Sequence, residues 1–326
     1  MATPHSNLND KYIPRLIIWD ITSRDLSSSE DVGQELTTHE CSLILGNIAN
    51  LCKPIIVFSG AKVLSRPDIR TLIMEGQSLG LKIILEVDAS ELSADILKSF
   101  QTFGPRIFRI MVGDAIKEGY DTRYKNTRDF KALEEIVKRM KNKGYEIHFG
   151  VKVQSPNLRE LSYDVDYAVR QSAKGVYCHL CFEKSNGKGH KIDFETEELD
   201  AYITSIASIK RYLPEKMYFS PQCIKYGMCR PDVTLDNGDQ QPWIRRTEWG
   251  HWCLGGKTFA YITVRGGVQV CMGLPFNSGD LRKDGYNFQK IWEQSDTFHY
   301  LRETERSCEE TREKLANFQM DLKGKN

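Results

Sequence analysis

Hydrophobic and polar positions follow one another along the chain in a pattern typical of repeated strand–helix units. Short apolar runs, which predict buried strands, are separated by longer stretches whose apolar residues recur three and four positions apart, as in amphipathic helices. Short right-handed connections would wind such units into a parallel sheet. Six strands are predicted, at Leu16–Ile21, Ile55–Ser59, Lys82–Val87, Ile107–Val112, Glu146–Val153 and Val176–Cys181.

Capping and stop signals mark the predicted helices between these strands. Thr37 and Glu40 have the spacing of a capping box, which predicts a helix that begins there and continues to about Leu51. Ser93 is predicted to begin a short helix, because a serine side chain can accept a hydrogen bond from the first turn. Further helices are predicted from Pro67 to Gly80, at Ala132–Lys143, at Leu158–Ala173 and at about Glu195–Tyr212.

Two regions are predicted, at 1–213 and 214–326. Six strand–helix units are too few to close an eight-stranded barrel, so residues 1–213 are predicted to form a partial (β/α)6 TIM-like barrel of the α/β class. The loops after the strands should line its mouth. Residues 214–326 predict a small α+β extension, with a hairpin across Arg265–Gly267 and a helix at Phe288–Arg302.

Composition excludes several classes of function. The formal net charge is +1 over 326 residues, and no basic cluster is interleaved with aromatic residues, so nucleic acid is not predicted as a partner. No apolar run reaches the ~18 residues of a membrane span, and the first residues are polar, so neither a membrane segment nor an export signal is predicted. The nine cysteines are therefore expected to be reduced thiols or metal ligands in a cytoplasmic protein.

The segment Leu16–Val32, LIIWDITSRDLSSSEDV, resembles the start of radical S-adenosylmethionine (radical SAM) enzymes with C-terminal cluster domains. In that family the strand leads into Cys-x3-Cys-x2-Cys, whose thiolates hold a [4Fe–4S] cluster. The corresponding positions here are Asp25, Ser29 and Val32. The resemblance thus implies the fold, whereas the residues predict that no radical cluster forms at this loop.

A second part of the resemblance is the turn after the second strand, Ser59-Gly60-Ala61-Lys62-Val63. The family has Ser-Gly-Gly-Glu-Pro there, and the turn holds the amino group of S-adenosylmethionine. With Asp20 of the WDIT signature, the resemblance implies that Ser59, Gly60 and Lys62 form a degenerate cofactor site. Because a lysine ammonium repels another ammonium, S-adenosylmethionine binding is predicted to be weak or absent. Lys62 is expected to lie near a carboxylate such as Asp20 or Asp25.

The C-terminal region resembles the SPASM/twitch-like auxiliary-cluster extensions of haem-synthesis and peptide-maturation members. Cys253, Cys271 and Cys308 match the first part of their ligand pattern, and Cys223 or Cys229 could supply a fourth thiolate. Such a set could bind an auxiliary [4Fe–4S] cluster or zinc. The alternative is a relic region whose thiols only pack, because the later cysteines of the pattern are missing.

Other reactive residue types have structural interpretations. Cys178 and Cys181 lie three apart on a predicted strand and so face opposite sides, which favours packing over shared metal binding. Cys41 and Cys52 are likewise expected to pack around the first helix. Carboxylates near strand ends can bind ligands or cap loops, and both interpretations stay open for Asp20, Glu86, Asp88 and Asp114.

The function predicted from these features is that of a radical-SAM-fold protein that has lost radical chemistry. It would act as a degenerate partner or substrate-binding subunit in a maturation pathway. Its partners would be an intact radical SAM paralogue, a peptide or a tetrapyrrole-like substrate. The alternative is an active enzyme of radical SAM type, or another iron–sulfur-dependent enzyme, with an altered cluster site.

Overall fold

The structure is a computed structural model that describes residues 12–23, 35–101, 104–112, 128–153, 161–180, 182–183, 191–192, 209, 213–214, 216–221, 254–271, 274–303, 315 and 317–318. The chain forms two compact units. The first unit comprises Met1–Ala61, Thr71–Ile83 and Gln240–Asn326, and the second comprises Lys62–Arg70 and Ile84–Asp239. The predicted boundary between residues 213 and 214 stays a prediction, because most of residues 184–253 lie outside the described ranges.

The described chain alternates strands and helices. Its strands are β1 (Leu16–Thr22), β2 (Ile55–Gly60), β3 (Lys82–Asp88), β4 (Ile107–Val112), β5 (Glu146–Val153), β6 (Gly175–Leu180), β7 (Phe182–Glu183), β8 (Lys191–Ile192), β9 (Tyr218–Pro221), β10 (Phe259–Ile262), β11 (Gly267–Cys271) and β12 (Leu274–Asp280). Its helices are α1 (Thr38–Leu51), α2 (Ile69–Ser78), α3 (Ala94–Ser99), α4 (Arg128–Asn142), α5 (Leu161–Arg170), α6 (Phe288–Gln294) and α7 (Asp296–Glu303). Within these ranges, no helix is long and apolar enough to cross a membrane.

In the first unit, β1 lies between two parallel neighbours. β2 pairs with one edge of β1 and β10 with the other, and the antiparallel strands β11 and β12 continue outward from β10. Every second residue of β1 is almost fully buried, as at Ile17 and Trp19. The Trp19 ring packs edge-on against Phe58 of β2, with ring centroids 5.8 Å apart. The alternate residues of β1, including Asp20, therefore lie on the opposite face of the sheet.

In the second unit, the strand order is β3-β4-β5-β6-β9 and every pairing is parallel. The apolar face of these strands carries a cluster of aromatic rings. Phe108 packs against Phe100 and Tyr145, with centroids 6.1 and 5.2 Å away, and Phe149 packs against Tyr167 of α5. We call the other face of β3–β6, which carries Glu86, Arg109, His148 and Tyr177, the polar strand face.

The predicted barrel elements are confirmed with small changes at their ends. The strands predicted at Ile107–Val112 and Glu146–Val153 have those bounds, and Ser93 caps α3 as expected. The predicted antiparallel hairpin of β10 and β11 is also present. The helix predicted around Glu195–Tyr212 lies outside the described residues except for Ile209.

In the C-terminal region one prediction is wrong and one element was not predicted. The single helix predicted at Phe288–Arg302 is two helices, α6 and α7, because Ser295 adopts an extended conformation between them. The side chain of Ser295 then accepts a hydrogen bond from the Phe298 N–H, which caps the second helix. Strand β12 was not predicted, although it pairs with β11 along most of its length.

The predicted capping box of α1 is confirmed and belongs to a larger network. The Thr37 side chain accepts a hydrogen bond from the Glu40 N–H, and the Glu40 carboxylate accepts one from the Thr37 N–H. Arg282 Nε and the Tyr286 hydroxyl also donate to the same carboxylate, over 2.8 and 2.9 Å. The bond from Arg282 is the main reason that the pKa of Glu40 is lowered to about 2, and burial opposes the shift.

Replacing Glu40 with glutamine should lower the free energy of unfolding at pH 7 by about 1–3 kcal/mol, since charge-assisted hydrogen bonds are lost. The folded pKa of Glu40 lies below its usual value of 4.5, so its contribution is complete above that pH and is lost as the pH falls towards 2. Urea unfolding of both proteins across this range would measure it. Glu135→Gln, which removes an exposed carboxylate, is the control and should change stability by less than about 1 kcal/mol. A difference between wild type and Glu40→Gln that grows towards low pH would contradict the assignment.

Candidate functional site

The ends of β1 and β2 bring together most of the predicted cofactor residues. Asp20 and Ser59 are register partners across the two strands, and Gly60 is the partner of Thr22. The Tyr261 hydroxyl of β10 donates a hydrogen bond to the Asp20 carboxylate. Asp20 thus lies on a polar edge formed by three adjacent strands of the first unit.

Gly60 occupies a position that tolerates no side chain. Its φ of +123° is a backbone conformation that L-residues rarely adopt, and a Cβ atom there would collide with the carbonyl oxygen of Thr22. The turn after β2 therefore approaches β1 closely at Thr22. This turn differs from the family pattern at Ala61, Lys62 and Val63, and only the change at Lys62 reverses a charge.

Lys62 lies in this turn with a left-handed backbone (φ 50°) and an exposed side chain. The carboxylate that its charge influences is Glu91, which accepts hydrogen bonds from the N–H groups of Asp88 and Leu64, each 3.0 Å long. Burial raises the pKa of Glu91, while these hydrogen bonds and the charge of Lys62 lower it. The sequence suggested Asp20 or Asp25 as the carboxylate near Lys62, and this stays a prediction. Glu91, in the loop after β3, was not predicted.

Asp25, Ser29 and Val32 lie outside the described residues, but both ends of their loop are described. At these ends, the Glu35 carboxylate accepts hydrogen bonds from Thr22 Oγ1 (2.9 Å) and from the Ser23 N–H (2.8 Å). Glu35 is 8 % exposed. A buried carboxylate thus joins the residue before the loop to the residue after it.

Two of the cysteines that were predicted to pack, Cys41 and Cys178, lie within the described residues. Cys41 is fully buried on α1, and its thiol lies 3.8 Å from the Leu36 carbonyl oxygen as a hydrogen-bond donor. Cys178 is also buried, and burial raises the pKa of its thiol well above the usual value. The packing roles predicted for these two cysteines are confirmed.

The predicted auxiliary metal site is almost wholly outside the described residues. Cys223, Cys229, Cys253 and Cys308 are not described, whereas Cys271 is half-buried at the end of β11. Within the described ranges, no group of three histidine, cysteine, aspartate or glutamate side chains could hold a metal ion. The site at Cys253, Cys271 and Cys308 stays a prediction.

The polar strand face of the second unit is a site that the sequence suggested only in part. Glu86 of β3 is the register partner of Arg109 of β4, and Arg109 is the register partner of His148 of β5. Arg109 Nη1 forms an ion pair with Glu86 over 2.9 Å, and its guanidinium lies 3.8 Å from the centre of the Tyr177 ring. His148 lies beside the same ring, with centroids 5.5 Å apart, and contacts Glu146 over 2.7 Å.

Glu86 was among the strand-end carboxylates noted in the sequence, whereas Arg109, His148 and Tyr177 were missed. The available signal was an arginine and a histidine inside otherwise apolar strands. Their register, which places them side by side, is set by tertiary pairing. This face could bind the polar groups of a ligand, since it combines a guanidinium, an imidazole and two carboxylates.

Comparison with known proteins gives a consistent class. No family model matches the chain. The chain is 24 % identical over 304 residues to an AdoMet-dependent heme synthase of Methanosarcina barkeri, a match that covers 90 % of this chain and 86 % of that protein.

Solved structures agree on the fold. Streptococcus suis SuiB bound to its precursor peptide SuiA superposes with a TM-score of 0.63 at 12 % identity, covering 90 % of this chain and 67 % of SuiB. The protein anSMEcpe with bound AdoMet gives a TM-score of 0.54 at 12 % identity, covering 88 % of this chain and 82 % of that one. The predicted α/β fold, with its large parallel sheet, is confirmed.

The chain is therefore similar in sequence to an AdoMet-dependent heme synthase and shares the fold of SuiB and anSMEcpe, which supports the predicted resemblance to the radical SAM superfamily. The resemblance predicted from its N-terminal and C-terminal motifs is confirmed at that level.

Proposed function

We propose that this chain is a ligand-binding protein of radical SAM fold that does not cleave S-adenosylmethionine. The observation that carries the proposal is the loop after β1, where Asp25, Ser29 and Val32 stand at the three cysteine positions of the family. A valine has no metal-binding atom, and thiolates are the usual ligands of a [4Fe–4S] cluster. In a maturation pathway such a chain would act beside an intact radical SAM paralogue.

The residues present do not fit the radical cluster. Cys41, the first cysteine of the sequence, is buried, and its thiol donates to the Leu36 carbonyl oxygen. The two ends of the loop are joined instead by the carboxylate of Glu35, through Thr22 and Ser23. These contacts support the proposal, because a protein carboxylate links the residues on either side of the loop.

A solved structure of similar fold holds bound AdoMet, which is at odds with the predicted weak binding, so the proposal for this chain rests on its own residues. The support comes from the turn at Gly60, which keeps its backbone approach to Thr22, while Lys62 replaces the family's glutamate. The positive charge of Lys62 would repel the amino group of S-adenosylmethionine and so weaken its binding. The loss of iron that would chelate the methionine end weakens it further.

Wild-type protein should bind S-adenosylmethionine more weakly than the low micromolar range, which corresponds to about −8 kcal/mol. Lys62→Glu should tighten binding by about tenfold, because an attractive charge replaces a repulsive one. Isothermal titration calorimetry would measure both. Lys131→Glu makes the same change at another exposed lysine and should have no effect. Low-micromolar binding by wild type, or equal affinities for wild type and Lys62→Glu, would contradict the prediction.

The test of the proposed function is anaerobic reconstitution with iron and sulfide, followed by an assay for 5′-deoxyadenosine. Wild type should form no 5′-deoxyadenosine. A variant with Asp25→Cys, Ser29→Cys and Val32→Cys is the matched control, and it should bind iron at the restored loop. Formation of 5′-deoxyadenosine by wild type in reductant would overturn the proposal.

The ligand we propose is a tetrapyrrole-like molecule or a peptide. A relative named as a heme synthase supports the first, and a solved structure of similar fold with a bound precursor peptide supports the second. The polar strand face around Arg109 and Tyr177 supplies the groups that either ligand would need. Binding of a ligand without radical cleavage is the behaviour expected of a degenerate subunit.

An auxiliary [4Fe–4S] cluster or zinc at Cys253, Cys271 and Cys308, with Cys223 or Cys229, belongs to the same proposal. Cys271 is half-buried at the end of β11, where a ligand from the hairpin would be expected. A variant with alanine at the first three positions should lose both metal and stability if the site is real, because structural metal binding adds to the free energy of folding. Metal analysis of anaerobically purified protein would detect it.

A second candidate function is that of a working enzyme with an altered cluster site. It is favoured by one observation, the similarity to an AdoMet-dependent heme synthase across 90 % of this chain. The reconstitution assay separates the two candidates, because only the working enzyme would form 5′-deoxyadenosine without restored cysteines.

A further inference from the structure

We propose that the polar strand face binds a carboxylate group of the ligand through the Nε edge of Arg109. This inference rests on the proposed ligand-binding function and adds the chemical group that is recognised. The participating residues all lie in the second unit, on adjacent parallel strands whose register places Glu86, Arg109 and His148 in one row.

Arg109 is a buried cation that is held in one orientation. Its side chain is 2 % exposed, and Nη1 donates to the Glu86 carboxylate, which is 12 % exposed. The guanidinium plane lies 3.8 Å from the centre of the Tyr177 ring, a distance typical of a cation–π contact. An ion pair at one edge and an aromatic ring against one face leave little freedom to turn.

The Tyr177 ring also contacts a second residue of this face, His148. His148 lies next to its ring, and the His148 Nε2 atom contacts the Glu146 carboxylate over 2.7 Å. Gly150, which is the register partner of both Met111 and Tyr177, adds no side chain to this face. The row of Glu86, Arg109 and His148 is thus held in place beside Gly150, which has no side chain to fill the adjacent space.

One atom of this arrangement points to a ligand. Arg109 Nε is buried and has no hydrogen-bond partner among the described residues. A buried donor without an acceptor is costly, so an acceptor brought by a ligand would be favourable. A cationic ligand group is excluded by the like charge of the guanidinium.

A carboxylate fits this donor better than a neutral carbonyl does. Hydrogen bonds between a guanidinium and a carboxylate are charge-assisted and about twice as strong as neutral ones. The planar guanidinium also matches the planar carboxylate in geometry. Both proposed ligand classes carry this group, as tetrapyrrole propionates or as acidic peptide side chains.

The experiment is a binding titration of the full chain with two pairs of probes. Protoporphyrin IX is compared with its dimethyl ester, and the blocked peptide Gly-Glu-Glu-Gly is compared with Gly-Gln-Gln-Gly. Carboxylate recognition predicts that the acid of at least one pair binds at least tenfold more tightly than its uncharged partner. The pair that responds identifies the source of the carboxylate.

Two variants test the role of the cluster. Arg109→Lys keeps the ion pair but removes Nε. It should lower the affinity for the acid probe about tenfold and leave the affinity for the uncharged probe unchanged. Glu86→Gln removes the competing carboxylate and should tighten the acid probe at least threefold, an effect that a merely structural role would not produce. Arg139→Lys makes the control change at an exposed arginine of α4.

Each result bears on the inference. Unchanged binding of the acid probe by both Arg109→Lys and Glu86→Gln would overturn it. So would failure of both acid probes to bind wild type, and that outcome would leave the proposed loss of radical chemistry standing on the 5′-deoxyadenosine assay. If Arg109→Lys fails to fold, the Glu86→Gln result decides alone, with weaker or equal binding counting against the inference.

Discussion

Replacing Arg109 with methionine should lower the free energy of unfolding by about 3–5 kcal/mol, because the change removes one charge of a buried ion pair. The two side chains form an ion pair of 2.9 Å with exposures of 2 % and 12 %. Methionine keeps much of the arginine volume, so the loss reports mainly on the charge. Loss of the cation–π contact with Tyr177 would add to it.

A double-mutant cycle separates the charge effect from packing. Glu86→Leu with Arg109→Met replaces both partners by apolar groups, which at buried ion pairs is often close to neutral. The double variant should therefore be more stable than Arg109→Met alone, as measured by urea unfolding at pH 7. A loss of less than about 1 kcal/mol for Arg109→Met would show that Glu86 is well solvated, contrary to the structure.

Replacing Gly60 with alanine should be the second severe change, with an expected loss of about 3 kcal/mol or more. Two costs add here. A non-glycine residue at a φ of +123° is strained by about 1–3 kcal/mol. The new methyl group would also collide with the Thr22 carbonyl oxygen, and forced overpacking costs a further 1–3 kcal/mol, roughly.

Gly46 offers the matched control for that change. It lies inside α1, and a Cβ atom built there meets nothing within 4 Å. Gly46→Ala should stabilise the protein by about 0.5–1 kcal/mol, since alanine is the better helix former. The midpoints of thermal and urea unfolding should fall for Gly60→Ala and rise for Gly46→Ala. Shifts of the same sign would mean that β1 and β2 do not approach at Thr22 as described.

Local signals predicted most elements of the fold. The capping box of Thr37 and Glu40 began α1 where expected, because its hydrogen bonds involve residues only three apart. Apolar runs located β1 to β6 for a similar reason, because the run of apolar residues that marks a buried strand is visible within the strand itself. These features need no knowledge of distant parts of the chain.

Longer-range features were missed or misjudged. The break at Ser295 could not be seen in the helical periodicity of Phe288–Arg302, because a serine is compatible with either state. Strand β12 is half polar, and its pairing with β11 is what makes it a strand. The influence of the Lys62 charge on the pKa of Glu91 arises only because the fold brings two separate loops together.

The candidate site shows the same division between local and tertiary information. The sequence by itself places Asp25, Ser29 and Val32 where the family pattern has cysteines, and the proposed loss of the radical cluster follows from their chemistry, because thiolates are the usual ligands of such clusters. The grouping of Glu86, Arg109, His148 and Tyr177 was decided only by the tertiary structure. These residues are spread over 92 positions of the sequence (86 to 177), and only the register of four parallel strands places them side by side.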